Sequence, residues 1–449
     1  MIRAAASTQS LGASPTFASD EFLKMNDRMR FHGESLSFNV LAFILLISVQ
    51  VNAHQAKRKR LARRSPQPPP TVRLVSGTSS VKIPFESSSN LILLQARVND
   101  SAPLWFIFDT GADSTVIDSQ LAKVLRLKPR GKEVGTGSAG TATALIFRGV
   151  SIRLPNVEAL NLKIAALPID FLSSPLGRKI SGVIGNDILK EFVVEVDYAS
   201  QVINLYEPRS YQYSGPGEVI PITLDDNLPF VRARIALEKR SPVEGKFELD
   251  SGSTGAITFN TPFVNKYKLL DSISRTSQSR VGGVGGTAQA FSGRVKAMRL
   301  GSFELENSVA RFSRATRGDD ASAKYDGLIG GEIFRRFKVV FDFSRRQMIL
   351  EPNAQFSEPY EVDMSGLDIA TEGKDFSVVV VNEVEKNSPG AEAGIRDEDI
   401  IGAIDGRPTK EFTLTLIRKM FMQDGKEYLI SLKRGQKEVQ ATLKLRRLI

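Results

Sequence analysis

The chain of 449 residues contains a tandem repeat whose period is the length of a whole domain lobe. Three dipeptides near the start of the first copy recur in the same order 137 positions later, and a Gly-apolar-apolar-Gly motif recurs 145 positions later. The matching pairs are Ile83-Pro84 and Ile220-Pro221, Asn90-Leu91 and Asn227-Leu228, Ala96-Arg97 and Ala233-Arg234, and Gly182 to Gly185 and Gly327 to Gly330. Chance matches would not stay in order, and solenoid repeats are much shorter. The sequence therefore predicts two consecutive copies of one lobe.

Each copy also contains a short apolar run that ends in an aspartate. The first reads Phe106-Ile107-Phe108-Asp109-Thr110-Gly111, and the second reads Phe247-Glu248-Leu249-Asp250-Ser251-Gly252. Further short apolar or alternating runs lie between turn residues, which is typical of β-strands. Helical signals are sparse in both copies. The sequence thus predicts a mainly β fold that presents two aspartates in equivalent positions.

The residue composition excludes several kinds of catalytic centre. The chain has no cysteine, and its two histidines, His32 and His54, both lie in the N-terminal tail. A thiol nucleophile, a Ser-His-Asp triad and a histidine-based zinc site are therefore excluded from the two lobes. Any hydrolysis by the lobes must rely on carboxylates, and we expect no cofactor and no metal.

With these motifs, residues 80–355 resemble retroviral-type aspartic proteases (retropepsins) as two fused copies. The segment from Asp109 to Ile117 is similar to the active-site segment of that family, and the Gly185 and Gly330 motifs resemble the segment that packs beneath it. The resemblance is to the bacterial type with both lobes in one chain. It implies two closed β-barrel lobes that form a pseudo-dimer, and an aspartic endopeptidase that acts on peptides or proteins as a monomer.

The resemblance also implies roles for individual residues. Asp109 and Asp250 would be the catalytic pair, and Asp113, Gly137 and Gly285 would bind substrate. The glycine-rich stretches around Gly137 and Gly285 would close over the substrate, or else form simple hairpin turns. Residues expected to support the dyad are Thr110, Gly111, Ser251, Gly252 and Ser253.

The two copies differ just after the aspartate, where the first has Ala112 and the second has Ser253. A Ser253 hydroxyl bonded to Asp250 would favour the charged form of that carboxyl group. We therefore expect the negative charge on Asp250 and the proton on Asp109. For Asp113, a solvated turn aspartate is an alternative interpretation.

Residues 360–449 resemble a bacterial PDZ domain. The resemblance rests on Asn387 to Ile395, followed by Asp399 to Gly406, where a short helix would precede a strand and an Asp-Gly turn. It implies that Gly366, Leu367, Asp368 and Ile369 form a loop that binds the C-terminal carboxylate of a peptide, with Phe412 to Phe421 as the helix of the groove. A packing module without a free peptide ligand is the alternative.

The N-terminal region suggests export. Val40 to Ile47 is a compact apolar run with the length of a signal-peptide core, although Lys57 to Arg60 follow it closely. We expect a periplasmic, extracellular or envelope-anchored protein. The expected divisions are residues 1–53 (signal peptide or membrane anchor), 54–75 (basic, Pro-rich linker), 76–214 and 215–355 (the lobes), and 360–449 (PDZ domain). The net charge of +10 is concentrated partly in the tail and accompanies no nucleic-acid motif.

Two functions remain compatible with these patterns. The first is an aspartic endopeptidase whose PDZ domain recruits or regulates peptide substrates. The second is a peptide-binding adaptor whose two lobes have lost catalysis.

Overall fold

The computed structural model describes residues 42–43, 68–75, 77–238 and 240–449. Strands form most of the regular structure in these ranges, so the predicted mainly β class is confirmed. Nearly all of the predicted signal or anchor segment and its basic linker lie outside the described residues. No helix within the described ranges is long and apolar enough to cross a membrane.

The first lobe is a closed β-barrel. Its strands are β2 (Thr71–Leu74), β3 (Ser80–Pro84), β4 (Glu86–Ser88), β5 (Leu91–Val98), β6 (Leu104–Phe108), β7 (Val116–Asp118), β8 (Gly131–Gly137), β9 (Gly140–Leu154), β10 (Val157–Leu167), β11 (Gly182–Ile184), β12 (Val193–Asp197) and β13 (Val202–Tyr206). Its helices are α1 (Ser119–Val124), α2 (Ser173–Leu176) and α3 (Asn186–Leu189). The strand order β10-β7-β11-β6-β5-β9 closes because β9 also pairs with β10.

The second lobe repeats this arrangement. Its strands are β14 (Glu218–Pro221), β15 (Thr223–Asp225), β16 (Leu228–Leu237), β17 (Arg240–Leu249), β18 (Ile257–Phe259), β19 (Thr276–Gly283), β20 (Gly286–Arg294), β21 (Ala297–Leu300), β22 (Phe303–Glu306), β23 (Val309–Ser313), β24 (Gly327–Ile329), β25 (Phe337–Asp342) and β26 (Gln347–Pro352). Its helices are α4 (Thr261–Lys266) and α5 (Gly331–Phe334). The long strands β9 and β10 of the first lobe are each divided in two here, as β20 with β21 and as β22 with β23. Strand β1 (Ala42–Phe43) lies parallel to the last part of β19, at Val281 and Gly282.

A six-stranded sheet joins the two lobes. It runs β14-β26-β25-β12-β13-β3, with three strands from each lobe. At its centre Val193 pairs with Asp342 and Asp197 pairs with Lys338, so equivalent residues exchange partners. Such self-complementary pairing is the signature of a two-fold axis between like surfaces. The repeat in the sequence therefore becomes a pseudo-dimer within one chain.

The same short motifs recur because they form equivalent turns in both lobes. Asn90 and Asn227 adopt positive φ angles of 68° and 69° in the turns before β5 and β16, a conformation that asparagine tolerates well. Asp197 and Asp342 accept backbone hydrogen bonds that close the hairpin turns after β12 and β25. These repeated residues build turns and do not belong to the candidate site.

The C-terminal domain has its own apolar core and a separate sheet. Its strands are β27 (Leu367–Glu372), β28 (Val378–Val384), β29 (Ile400–Ile404), β30 (Arg407–Pro408), β31 (Glu427–Arg434) and β32 (Lys437–Lys444), and its helices are α6 (Pro389–Glu392) and α7 (Leu414–Met420). The order is β27-β28-β29-β31-β32, so β27 is an edge strand. The core includes Ile369, Val381, Ile404, Ile417 and Phe421.

Candidate active site

Each Asp-Thr/Ser-Gly motif begins where a buried strand ends. In both copies the aspartate directly follows the last residue of β6 or β17. The backbone N–H of Asp109 donates to Ile184 O at 3.0 Å, and that of Asp250 donates to Ile329 O at 2.9 Å. The Gly-containing motif downstream thus fixes the start of each aspartate loop, because β11 and β24 run parallel to β6 and β17.

The carboxyl groups of Asp109 and Asp250 lie close together across the lobe boundary, and both are fully buried. Oδ1 of Asp109 accepts from the N–H of Gly111, and Oδ1 of Asp250 accepts from the N–H of Gly252, both at 2.8 Å. A Cβ atom on Gly111 would lie 2.7 Å from Asp250 Oδ1, and one on Gly252 would overlap the Asp109 carboxyl group. Glycine is therefore required at both positions if the two carboxyl groups are to approach each other.

Thr110 and Ser251 connect the two aspartate loops through reciprocal hydrogen bonds. Thr110 Oγ1 donates to Leu249 O at 2.7 Å and accepts from the N–H of Ser251 at 3.0 Å. Ser251 Oγ donates to Phe108 O and accepts from the N–H of Thr110, both at 3.0 Å. Both side chains are fully buried, so these bonds hold the two loops in a fixed relation without competition from water.

The two carboxyl groups have different proton affinities. Burial raises the pKa of Asp109 well above its usual value, and the negative charge of Asp250 raises it further. Burial also raises the pKa of Asp250, but only to about 6, because its bond with Asp109 and the N–H groups of Gly252 and Ser253 oppose the rise. The pair titrates as a unit. These shifts in pKa favour the state in which the two carboxyl groups hold one proton and Asp109 carries it.

The contact expected from the Ser253 hydroxyl is not formed. Ser253 Oγ is buried and has no hydrogen-bond partner among the residues that the structure describes. It is the backbone N–H of Ser253 that stabilises the charged form of Asp250. The side-chain argument for the proton position is therefore wrong, and the backbone supplies the bias instead.

Asp113 is buried, so the alternative of a solvated turn aspartate is also wrong. Its charge raises the pKa of two other carboxyl groups, Asp187 in the same lobe and Asp319 in the other lobe. Burial is the largest cause and raises the pKa of Asp187 to about 7, although Thr115 donates to Asp187 Oδ1 through its N–H at 2.8 Å and its hydroxyl at 2.7 Å. Asp113 thus belongs to an acidic region that extends across the lobe boundary.

The two glycine-rich stretches form the tips of the β8–β9 and β19–β20 hairpins, and these tips touch each other. A Cβ atom on Gly137 would overlap the backbone of Val284, and one on Gly140 would lie 2.7 Å from Gly285 O. Val284 packs into the apolar cluster that contains Ala112, next to Asp109. The hairpins therefore meet above the dyad. Gly137 and Gly285 allow the close backbone approach that this contact requires.

Several buried ionisable residues near the dyad were not singled out from the sequence. Glu248, two residues before Asp250, and Asp320, in a loop of the second lobe, are buried, and the neighbouring Asp319 is half-buried. Burial raises the pKa of Asp319 to about 6 and that of Asp320 to about 7, while burial lowers the pKa of Arg311, beside Asp320, to about 10. Alignment of the two copies would have revealed Glu248, since the first copy has Ile107 there. Within the described ranges, no group of three His, Cys, Asp or Glu side chains is placed to bind a metal ion.

Comparisons with known proteins agree with this architecture. Residues 94–188 match the aspartyl protease family, and residues 358–445 match the PDZ domain family. The chain carries an aspartyl protease domain and a PDZ domain. The expectation drawn from the sequence motifs is thereby confirmed.

Two individual proteins can be compared with the whole chain. One is a Staphylococcus haemolyticus protein named "Probable CtpA-like serine protease", 23% identical over 214 residues. That match spans 46% of this chain and only 41% of the relative. The other is the solved structure of an aspartic proteinase from Irpex lacteus, with a TM-score of 0.40 and 14% identity, covering 62% of this chain and 99% of that one. The staphylococcal relative is thus named as a serine protease, and this chain spans less than half of its length.

The predicted carboxylate-binding loop of the PDZ domain differs from the structure. Gly366 precedes β27 and has a positive φ of 70°, as a tight turn requires. Leu367, Asp368 and Ile369 are the first residues of β27 itself, where Leu367 pairs with Val384. The prediction of a loop is therefore wrong for these three residues, because pairing with β28 makes them part of the edge strand.

The groove between β27 and α7 of the PDZ domain faces helix α2 of the protease domain. Ser174 Oγ donates to Thr371 O at 2.6 Å, and Thr371 Oγ1 donates to Ser174 O at 2.8 Å. Arg418 of α7 donates to Pro175 O at 2.7 Å and to Ile369 O at 2.8 Å. A PDZ domain implies peptide binding. In this structure, however, the first lobe covers the strand edge with which such a peptide would pair.

Proposed function

We propose that the protein is an aspartic endopeptidase in which Asp109 and Asp250 activate a water molecule to hydrolyse a peptide bond. The observation that carries the proposal is the pair of buried carboxyl groups, one from each lobe, in contact across a pseudo-two-fold axis. Two adjacent carboxyl groups cannot both ionise easily, so together they supply one base and one acid.

The proton assignment gives each carboxyl group a role. Asp250, the ionised member, accepts a proton from water as the water oxygen attacks the carbonyl carbon. Asp109 donates its proton to the carbonyl oxygen, and a tetrahedral intermediate forms. When that intermediate collapses, the carbon–nitrogen bond breaks, Asp250 passes its proton to the leaving nitrogen, and Asp109 takes a proton from a hydroxyl group of the intermediate, so that the pair again holds one proton on Asp109. Oδ2 of each aspartate supports this proposal, since among the described residues neither has a hydrogen-bond partner outside the pair and both can bind water.

The surroundings of the dyad support the same chemistry. The reciprocal bonds of Thr110 and Ser251 fix the two loops before substrate binds, which avoids reorganisation during the reaction. The hairpin tips at Gly137 and Gly285 would part to admit an extended peptide and then close over it. Asp113 would contact the substrate backbone beside the dyad. Both aspartates come from one chain, which supports activity as a monomer.

For the PDZ domain we propose recruitment or regulation of peptide substrates. A peptide C-terminus that pairs with β27 would have to displace α2 of the protease domain, so recruitment would change contacts in the first lobe. The apolar run from Val40 to Ile47 supports export or attachment to an envelope membrane, with the protease outside the cytoplasm.

The staphylococcal relative is named a serine protease, and the proposed mechanism differs from that type. A serine-type centre would need a base near the serine, and the chain has no histidine beyond His54. The alternative of a catalytically inactive adaptor would keep the PDZ groove as the functional site. A serine-type protease and an inactive adaptor would both respond differently from an aspartic protease when Asp109 or Asp250 is replaced.

The test is cleavage of a diverse peptide mixture by the full chain, from about pH 3 to about 7.5, a range that crosses the pKa of about 6 for Asp250. Asp109→Asn and Asp250→Asn should each abolish cleavage, whereas Asp226→Asn, in an exposed turn, should leave it unchanged. A peptide with a secondary alcohol in place of the scissile bond should inhibit, and a sulfonyl fluoride should not. Cleavage that survives either dyad change would refute the proposal, and no cleavage by folded protein would favour the adaptor.

A further inference from the structure

The pseudo-two-fold axis places two equivalent surfaces on either side of the dyad, and they differ in their central residue. In the first lobe, Ile107 lies between Leu93 and Val183 in the sheet. In the second lobe, the equivalent position between Phe230 and Leu328 is Glu248. The surface around Ile107 is apolar and includes Leu91 and Ile180. Around Glu248, the equivalent residues Leu228 and Tyr325 keep an apolar surface, whereas Lys246 and Glu248 stand where the first lobe has Trp105 and Ile107.

Glu248 faces the cleft and not the barrel core. Its neighbours Phe247 and Leu249 belong to the apolar core of the lobe. Since successive residues of a strand point to opposite faces, Glu248 shares the other face with the residue two positions later, Asp250. Glu248 is fully buried, neither Oε1 nor Oε2 has a close hydrogen-bond partner within the part of the chain that the structure describes, and the Tyr325 hydroxyl is the neighbour that favours its charged form. A buried carboxyl group with so little support is costly, which indicates a ligand.

The charges around Glu248 are acidic. Burial raises its pKa well above the usual value, and the charges of Asp250, Asp319 and Asp109 raise it further, while the Tyr325 hydroxyl opposes the rise. The nearest cations serve other groups. Arg311 acts on Asp320, and Lys324 acts on Asp319.

Lys246 lies on the same strand face as Glu248 but is also engaged elsewhere. Its ammonium group lies 4.1 Å from the centre of the Phe230 ring and 3.5 Å from Asp225 Oδ2. Since these cations are engaged with other groups, the negative charge of an ionised Glu248 would be balanced by a cation from a bound ligand.

We infer that Glu248 determines substrate specificity by receiving the side chain of a lysine or arginine next to the scissile bond. The pseudo-symmetric apolar surface around Ile107 would receive an apolar side chain on the other side of that bond. The inference rests on the proposed endopeptidase function and names the substrate class of the same site.

Distances and ring positions fit a long basic side chain. Positions two apart along a strand are separated by about 6.7 Å, which is close to the reach of an extended lysine or arginine side chain. A residue bound at the dyad can therefore bring its cation to Glu248. The rings of Phe230 and Tyr325, with centres 5.3 Å apart, offer apolar surface for its aliphatic stem and π faces for its charge.

The first experiment compares cleavage-site preferences of the full chain and of three variants, using a peptide library and mass spectrometry. We expect the wild type to prefer a basic residue at one side of the cut and an apolar residue at the other. Glu248→Gln and Glu248→Ile, which copies the first lobe, should each lower the preference for basic over apolar residues at least about tenfold. Glu244→Gln removes the same charge at an exposed position of the same strand, and it should leave the preference for basic residues unchanged. A wild type without basic preference, or a preference that survives Glu248→Gln, would overturn the inference.

A second measurement does not depend on catalysis. Benzamidine, a cation on an aromatic ring, should raise the melting temperature of the wild type and of Asp109→Asn, but not that of Glu248→Gln. If nothing is cleaved but benzamidine still binds through Glu248, the endopeptidase proposal fails and the cation site stands. Cleavage without basic preference and without benzamidine binding would refute the cation site and leave the endopeptidase proposal intact.

Discussion

Replacing Thr110 by valine tests whether the cross-lobe hydrogen bonds hold the dyad together. Valine has nearly the same shape but can neither donate to Leu249 O nor accept from the N–H of Ser251. Both backbone groups would then be left buried without their partner. Each such group costs about 1–3 kcal/mol, so we expect Thr110→Val to lower the free energy of unfolding by about 2–6 kcal/mol. That loss is large beside the usual stability of a domain, about 5–15 kcal/mol.

Catalysis should respond as well, because the same bonds set the distance between the carboxyl groups. A displacement of about 1 Å at a catalytic group can lower the rate about 100-fold, and we expect kcat to fall by that order. Thr110→Ser provides the matched control. Serine occupies the equivalent position in the second lobe, at Ser251, so this variant should keep most of both stability and activity.

The assays are urea unfolding and steady-state cleavage of one peptide substrate. An exposed Thr143→Val change on β9 controls for the effect of valine itself. If Thr110→Val unfolds within about 0.5 kcal/mol of the wild type, the range of neutral surface changes, the cross-lobe bonds do not contribute as described. The same conclusion would follow if Thr110→Ser lost as much as Thr110→Val.

Two further predictions follow from the buried charges. Asp187 and Asp320, each with a pKa raised to about 7 mainly by burial, hold protons in the folded chain that the unfolded chain releases near its ordinary value of 3.8. Their contribution to stability is therefore complete below about pH 4 and is lost as the pH rises through 7, at about 1.4 kcal/mol per group for each pH unit that separates the folded and unfolded pKa values. Thermal unfolding between pH 5 and 8 should show a falling melting temperature, with a smaller fall in Asp187→Asn; a rising one would contradict this sign. Arg418→Ala should speed hydrogen exchange in β27, because it removes the bonds from α7 to Pro175 O and Ile369 O, and Lys419→Ala, at an exposed neighbouring position, should not.

Most of the fold could be predicted from the sequence, because the repeated residues form turns and strand ends that depend mainly on the local sequence. Strands such as β5 (Leu91–Val98) and β13 (Val202–Tyr206) are short apolar or alternating runs between turn residues, which is the pattern that indicated a β fold. The aspartate motifs could also be found from the sequence, since strand ends and glycines mark them. The short distance between their two carboxyl groups could not be found in this way, because it depends on the central pairing of β12 with β25.

The errors share a physical cause, which is that a motif does not reveal what packs against it. The Ser253 hydroxyl was expected to stabilise the charged form of Asp250, but backbone N–H groups do so instead. Asp113 could have been a solvated residue, but it is buried and its charge acts on Asp319 of the second lobe. Leu367 to Ile369 were expected in a loop, but pairing with β28 extends the strand to include them. For Asp113 and for Leu367 to Ile369, the missing information was a contact with a distant part of the chain.

A two-lobed chain can do something that a homodimer of one lobe cannot. In a homodimer every substitution appears on both sides of the axis, so the two surfaces beside the dyad must remain alike. Here the first lobe has Ile107 and Ala112 where the second has Glu248 and Ser253. The loops that follow β10 and β23 have also diverged. In the first lobe that region holds α2 against the PDZ domain, and in the second it brings Asp320 to the hairpin tip, where its N–H donates to Ser138 O at 3.1 Å. Duplication thus allowed one copy to carry the contact with the PDZ domain and the other to carry Glu248 and Asp320, while Asp109 and Asp250 kept their symmetric arrangement.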